Sequence, residues 1–309
     1  MRLRRHAAAL AACAAITGCA TAPVDQIRHF SQAFDTVSTV GQPLLDDLAL
    51  AEKALGRQNA ETAAKAGSPC PPHTVVWQPV PPGSGFIRGF CASDAAYYSD
   101  LADPPATAQL RHGLKVIESY AQVLSDLADG RNAEQAMGEL DALGRNVGAL
   151  LTVAGAGAQV TAIGAAALPL KPLLEQAARA ADARQARALI LQGAPHVSAL
   201  IASLRDAVPE MFRVLISRSA TRLTAADASN AAVSAPELAR IEAYRKAVAD
   251  YTVLLGKLQN AWDLTAAAAA QPSGQRTLAT LVEQTALLKA DAEAARKVFA
   301  ALRAGLPAR

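Results

Sequence analysis

Residues 277–306 read TLATLVEQTALLKADAEAARKVFAALRAGL. Along this stretch eight apolar side chains recur at intervals of three and four residues or their sum, which places them on one face of an α-helix. The other positions are mostly polar or alanine, so the stretch predicts a long amphipathic helix that buries one side. The apolar stripe consists of Leu278, Leu281, Leu288, Ala292, Ala295, Phe299, Leu302 and Leu306.

The same period occurs in two long segments upstream. From Val24 to about Ala66, with a kink expected at Pro43, the stripe is Ile27, Phe30, Phe34, Val37, Leu44, Leu48 and Leu55. A capping box of Ser234 and Glu237 predicts the start of another helix, whose stripe is Leu238, Ile241, Val248, Tyr251, Leu255, Leu258 and Trp262.

The composition, and the residues that typically begin, bend or end helices, extend this prediction to the whole chain. Hydrophobic residues make up 51% of it but aromatic residues only 4%, which suits closely packed, alanine-rich helices better than sheets. Asp103 and Pro104 predict a helix N-terminus, Pro195 and Pro209 predict bends, and residues 272–274 predict a turn. We therefore expect an all-α protein, an antiparallel bundle of long helices in a single domain over residues 24–309.

Residues 67–93 interrupt the helical pattern. Prolines and glycines are too frequent there for a long helix, while residues 74–77 and 86–88 are compatible with a small β-hairpin. Cys70 and Cys91 flank this loop insertion, and a disulfide between them would stabilise the fold by about 3 kcal/mol. The alternative is a zinc site formed by these cysteines and His73, but in an oxidising compartment the disulfide is favoured.

The N-terminal residues have the pattern of an export signal. Arg2, Arg4 and Arg5 precede an apolar run from Ala7 to Ile16 that is too short for a permanent membrane-spanning helix. The sequence Ile16-Thr17-Gly18-Cys19 then resembles the lipobox of bacterial lipoproteins. The alternative is an ordinary secretory signal in which the cysteine is incidental.

The lipobox resemblance implies a specific processing and address. Residues 1–18 would be removed as a signal peptide, and residues 19–23 would form an acylated anchor and short tether. Cys19 would carry lipid on its sulfur and on its new amino group, so the membrane would be one partner. Ala20 stands where Asp would favour retention in the inner membrane, so the resemblance implies the outer membrane, facing the periplasm.

The charge distribution argues against nucleic acid as a partner. Of 30 lysines and arginines, three precede Cys19, whereas none of the 27 acidic residues does. The chain after Cys19 is therefore neutral, and a nucleic-acid-binding protein needs a net basic face.

The sequence contains no His-Glu-x-x-His, Gly-x-Ser-x-Gly, Ser-x-x-Lys or Walker pattern. We therefore predict a non-enzymatic protein of the cell envelope, without metal or cofactor, that binds or scaffolds an unidentified envelope protein. An enzyme whose site is assembled from dispersed residues is a third hypothesis, after a membrane-active bundle.

Aromatic residues are concentrated in and after the loop. Five of the chain's 13 aromatic residues fall there, and aromatic side chains give contact area at low entropic cost. They form either a recognition surface or a cap over one end of the bundle. These candidates are Trp77, Phe86, Phe90, Tyr97 and Tyr98.

The second functional hypothesis concerns residues 147–170, which contain no charged side chain. The segment is long enough to span a bilayer, and its place between amphipathic helices resembles the layout of α-helical pore-forming toxins. Its glycines, Gln159 and Pro169 make it a poor membrane-spanning helix, and the spacing of its small residues suits close helix packing inside a bundle better. A membrane-active bundle that inserts residues 147–170 is therefore the alternative to a binding protein.

Overall fold

The computed structural model describes residues 23–65, 91, 94–129, 141, 144–149, 158–177, 183–225, 231–271 and 275–304. All regular secondary structure within these ranges is helical, so the all-α prediction is confirmed for the part of the chain described. The predicted hairpin at 74–77 and 86–88 lies outside the described residues.

Five helices of 24 residues or more form the body of the bundle in the described part of the chain, and shorter ones connect or extend them. Residues 144–149 are also helical. The helices are α1 Val24–Lys65, α2 Ala95–Tyr98, α3 Pro105–Ala128, α4 Ala158–Ala167, α5 Leu170–Ala177, α6 Ala183–Asp206, α7 Val208–Ala225, α8 Ala231–Ala270 and α9 Gln275–Ala304.

Helix α1 is the axis of the bundle, and at 1.5 Å per residue it is about 63 Å long. It packs against α3, α7, α8 and α9. The Arg28 guanidinium at its beginning lies 3.6 Å from Asp129, just after α3, whereas Glu52 near its end binds Thr107 at the beginning of α3. The two helices are therefore antiparallel.

Helix α8 also runs antiparallel to α1. The Thr265 hydroxyl lies 3.5 Å from the Gln26 carbonyl at one end, and a Cβ on Gly41 would lie 2.6 Å from the Tyr251 ring further along. The bundle thus has a near end, at the beginning of α1 and the end of α8. Its far end contains the end of α1, α2, the beginnings of α3 and α8, and the end of α7.

The centre of the core is the indole of Trp262, which is fully buried. Its ring centroid lies 4.9 Å from that of Phe30 and 6.0 Å from that of Tyr120. The indole Nε1 donates to the Ala194 carbonyl at 3.0 Å, and the Tyr120 hydroxyl donates to the Leu189 carbonyl at 2.7 Å. Burial raises the pKa of Tyr120, which keeps its phenol protonated as a donor. This cluster joins α1, α3, α6 and α8.

Glycines allow the aromatic rings to approach neighbouring helices. Gly193 in α6 receives the Tyr120 hydroxyl at a place where a Cβ would overlap it. Gly41 in α1 similarly receives the ring of Tyr251, which is buried. Because both rings are buried, the absence of a side chain at these two positions sets the distance between helices.

The predicted stripes are largely buried, but two predicted helix boundaries were wrong. Leu281, Leu288, Ala292, Ala295, Phe299 and Leu302 are all buried. Helix α8, however, begins at Ala231, so Ser234 is not its N-cap. Glu237 instead pairs with Arg222 of α7 at 2.7 Å, and Leu238, expected in the core, is 53% exposed.

Helix α3 begins one residue later than predicted. Pro104 is the N-cap residue, with extended backbone and no side-chain cap of its own. At the other prolines, Pro43 and Pro195 lie inside continuous helices, and the break between α6 and α7 falls at Ala207, two residues before Pro209.

A matched pair of glycine substitutions tests this packing. Gly193→Ala should lower the free energy of unfolding by about 1–3 kcal/mol, because the new methyl group must displace a buried, hydrogen-bonded tyrosine. Gly256→Ala, in a helix with nothing within 4 Å of its added Cβ, should be neutral or raise it by up to about 1 kcal/mol. Thermal and urea unfolding followed by circular dichroism measures both. Equal effects of the two changes would contradict the packing.

Candidate functional site

The far end of the bundle is organised by a carboxylate from α1. Glu52 is 8% exposed, and its Oε1 accepts the Ala106 backbone N–H at 2.9 Å. Its Oε2 accepts both the N–H of Thr107 at 2.9 Å and the Thr107 hydroxyl at 2.8 Å. These groups belong to the first turn of α3, whose N–H groups have no partner within the helix. Glu52 therefore caps α3 from a neighbouring helix, where negative charge is stabilised.

The next residue of α1 fixes the segment before α3. Lys53 is 9% exposed, and its Nζ donates to the Ser99 carbonyl at 2.6 Å. Ser99 is the C-cap residue of the short helix α2. Two adjacent charged residues of α1 thus tether α2 and α3, and with them the segment between, to the axis of the bundle.

Tyr97 and Tyr98, both predicted as candidate recognition residues, lie in α2 but have different environments. Tyr97 is half-buried against Gly56, where a Cβ would overlap its ring. Burial, with the negative charges of Glu52 and Asp94, raises the pKa of Tyr97. Tyr98 is 46% exposed, and the Arg57 guanidinium lies 5.8 Å from its ring centroid. Tyr97 therefore packs as a cap, while Tyr98 faces outward as half of an arginine–aromatic pair.

The other three aromatic candidates, Trp77, Phe86 and Phe90, lie outside the described residues, as does Cys70. Cys91 is described: it is buried at 2% exposure, and its carbonyl accepts the Asp94 N–H at 2.9 Å. The disulfide between Cys91 and Cys70 stays a prediction. The lipidation candidate, Cys19, is also outside the described residues.

The described parts of the apolar segment 147–170 pack into the core. Val147, Ile163 and Leu170 are each no more than 1% exposed. Ile163 contacts the position of Gly113, where an added Cβ would lie 2.9 Å from its Cγ2. The chain turns at residues 168 and 169, between α4 and α5, and Leu168 there is 49% exposed. Among the described helices, none has the length and apolarity needed to cross a bilayer.

The buried charges at the far end, Glu52 and Lys53, were not predicted from the sequence. Their position carries a signal, because Glu52 lies four residues after Leu48, on the stripe where an apolar side chain is expected. Within the described ranges, no group of three or more histidine, cysteine, aspartate or glutamate side chains is arranged to bind a metal ion.

Comparison with known proteins adds no relative. The chain matches no protein-family model, no curated protein and no solved structure. Any functional assignment therefore depends on the geometry of this chain.

Proposed function

We propose that this protein is a lipid-anchored, non-enzymatic binding or scaffolding protein of the cell envelope. The observation that carries the proposal is the course of α1. This helix begins at Val24, five residues after Cys19, and continues without interruption to the far end. At 1.5 Å per residue, Arg57 lies about 50 Å along the helix from its beginning. An acylated Cys19 would place the near end at the membrane and present the far end away from it.

The exposed groups of the far end support a binding role. The pair of Arg57 and Tyr98 offers a planar cation over an aromatic ring, a combination common at the centre of protein interfaces. Glu52 and Lys53 fix α2 and α3 behind it, so little entropy would be lost when a partner binds. A disulfide from Cys91 to Cys70 would hold the loop and its aromatic residues next to this surface.

The lipobox also implies a location for the protein. The protein would be held in the outer membrane by lipid on Cys19, as a single helical domain facing the periplasm. Its partner would be an envelope protein rather than nucleic acid, and the role requires no cofactor.

The alternative is a membrane-active bundle that releases residues 147–170 into the bilayer. The exposed Leu168, at the turn between α4 and α5, would favour it as a first point of contact with lipid. The burial of Ile163 and Leu170 argues against it, because release would expose these side chains to water on the way to the membrane.

Substitution of Cys19 tests the anchor. Cys19→Ser should abolish labelling of the chain by an alkyne analogue of palmitate in growing cells, because the thiol is the acyl acceptor in this class. Cys13→Ser removes the other cysteine of the N-terminal segment and should label like the wild type. Labelled bands are compared after purification. Equal labelling of the Cys19→Ser and wild-type chains would contradict lipidation at this residue.

Site-specific crosslinking tests the binding role. A photoreactive side chain placed at Tyr98 should give one discrete protein adduct in intact cells, and Arg57→Gln in the same chain should reduce it. At Val282, which is 43% exposed near the beginning of α9, the same probe should give no such adduct. Identical adducts from both positions would refute a specific far-end surface. A lipid adduct from a probe at Leu168 would favour the inserting alternative.

A further inference from the structure

A small pocket lies at the far end, between α1, α7 and α8. Its volume is about 300 Å³. We call it the far-end pocket, and its polar lining comprises Asp47, Arg57, Ser217, Arg218, Ser219, Arg240 and Tyr244. Apolar groups of α1 and the side chain of Leu215 complete the wall. The three helices converge here because α7 and α8 pack against each other and both pack against α1.

The arginines of this pocket are only partly neutralised by the acids around them. Within the described ranges, Arg57 and Arg218 have no carboxylate within 4.0 Å. Arg240 lies 3.7 Å from Glu237, but that carboxylate is also bound by Arg222 at 2.7 Å. Three guanidinium groups therefore face a space in which the charge of Glu237 is already shared.

The acid in the wall, Asp47, is also engaged. It is 6% exposed, and its Oδ1 lies 3.6 Å from the guanidinium of Arg303 in α9. Its charge is therefore shared with a cation outside the pocket. The lining carries three positive charges against this one negative charge, so the pocket attracts anions.

We propose that the far-end pocket binds an oxyanion: a phosphate or carboxylate group carried on a small organic molecule. Guanidinium groups present paired N–H donors that match the oxygens of both anions. A volume of about 300 Å³ is at the lower end for sites that enclose small ligands. Arg57 lines the pocket and also lies 5.8 Å from the ring centroid of Tyr98, so a planar or apolar body of the ligand would rest beside that ring.

This inference deepens the proposed function, since it gives a ligand chemistry to the same end of the bundle. Isothermal titration calorimetry on the full chain in detergent tests it. The probes are inorganic phosphate and citrate, each titrated at an ionic strength held constant with sodium chloride. At least one should bind at a single saturable site.

Two exposed arginines of α7 form the matched comparison. Arg218→Gln, in the pocket, should weaken binding by about ten- to a hundredfold, the usual effect of losing a charge-assisted hydrogen bond. Arg57→Gln should weaken it as well. Arg213→Gln removes the same charge from α7 outside the pocket, where Arg213 pairs with Glu210, and should leave affinity unchanged.

These measurements distinguish binding of phosphate from binding of citrate, and both from non-specific attraction of anions to a positively charged surface. Binding of phosphate alone, or of citrate alone, with loss in Arg218→Gln, supports the proposal and identifies the anion. Binding of neither probe, or an equal loss in Arg213→Gln, overturns it. In that case a Tyr98 crosslink that depends on Arg57 would still support the binding role, so the two proposals fail separately.

Discussion

The indole N–H of Trp262 constrains the whole bundle. A ring of this size gains most by complete burial, but its nitrogen must then find an acceptor, and leaving it unpaired costs about 1–3 kcal/mol. The acceptor is the carbonyl of Ala194, one residue before Pro195, on a different helix. That bond fixes the register of α6 against α8. Tyr120 fixes α3 against α6 by the same means, through the carbonyl of Leu189.

The two ends of the bundle are built differently around that centre. At the near end, Arg187 donates to the carbonyls of Ala269 and Ala270 and so caps the end of α8. At the far end the corresponding groups are Glu52 and Lys53, which tether α2 and the beginning of α3. In both places a charged side chain satisfies the backbone of another helix. The difference is that the far end also has exposed arginines, Arg57 and Arg218, whose charge is left for a ligand.

Properties of single helices could be predicted from the sequence. The stripe from Leu281 to Leu302 depends only on local period, and its members are buried. Helix ends were harder, because their caps come from elsewhere: Glu52 lies 55 residues from Thr107, and no local pattern connects them. Leu238 fits its stripe but is exposed, since the period cannot show where a neighbouring helix stops. Tyr97 and Tyr98 were both predicted as candidates, but the sequence could not show that Tyr97 packs against α1 while Tyr98 faces outward.

The central claim is that the chain stands on the membrane with its far end away from the lipid. Energy transfer from a fluorescent amino acid to a lipid-borne acceptor in nanodiscs containing the acylated protein tests it most directly. Placed at position 282, near the beginning of α9, the donor should be strongly quenched by the bilayer. At position 98, about 50 Å further along the bundle, transfer should be weak. Equal transfer from the two positions would mean that the bundle lies flat on the membrane, and would contradict the account.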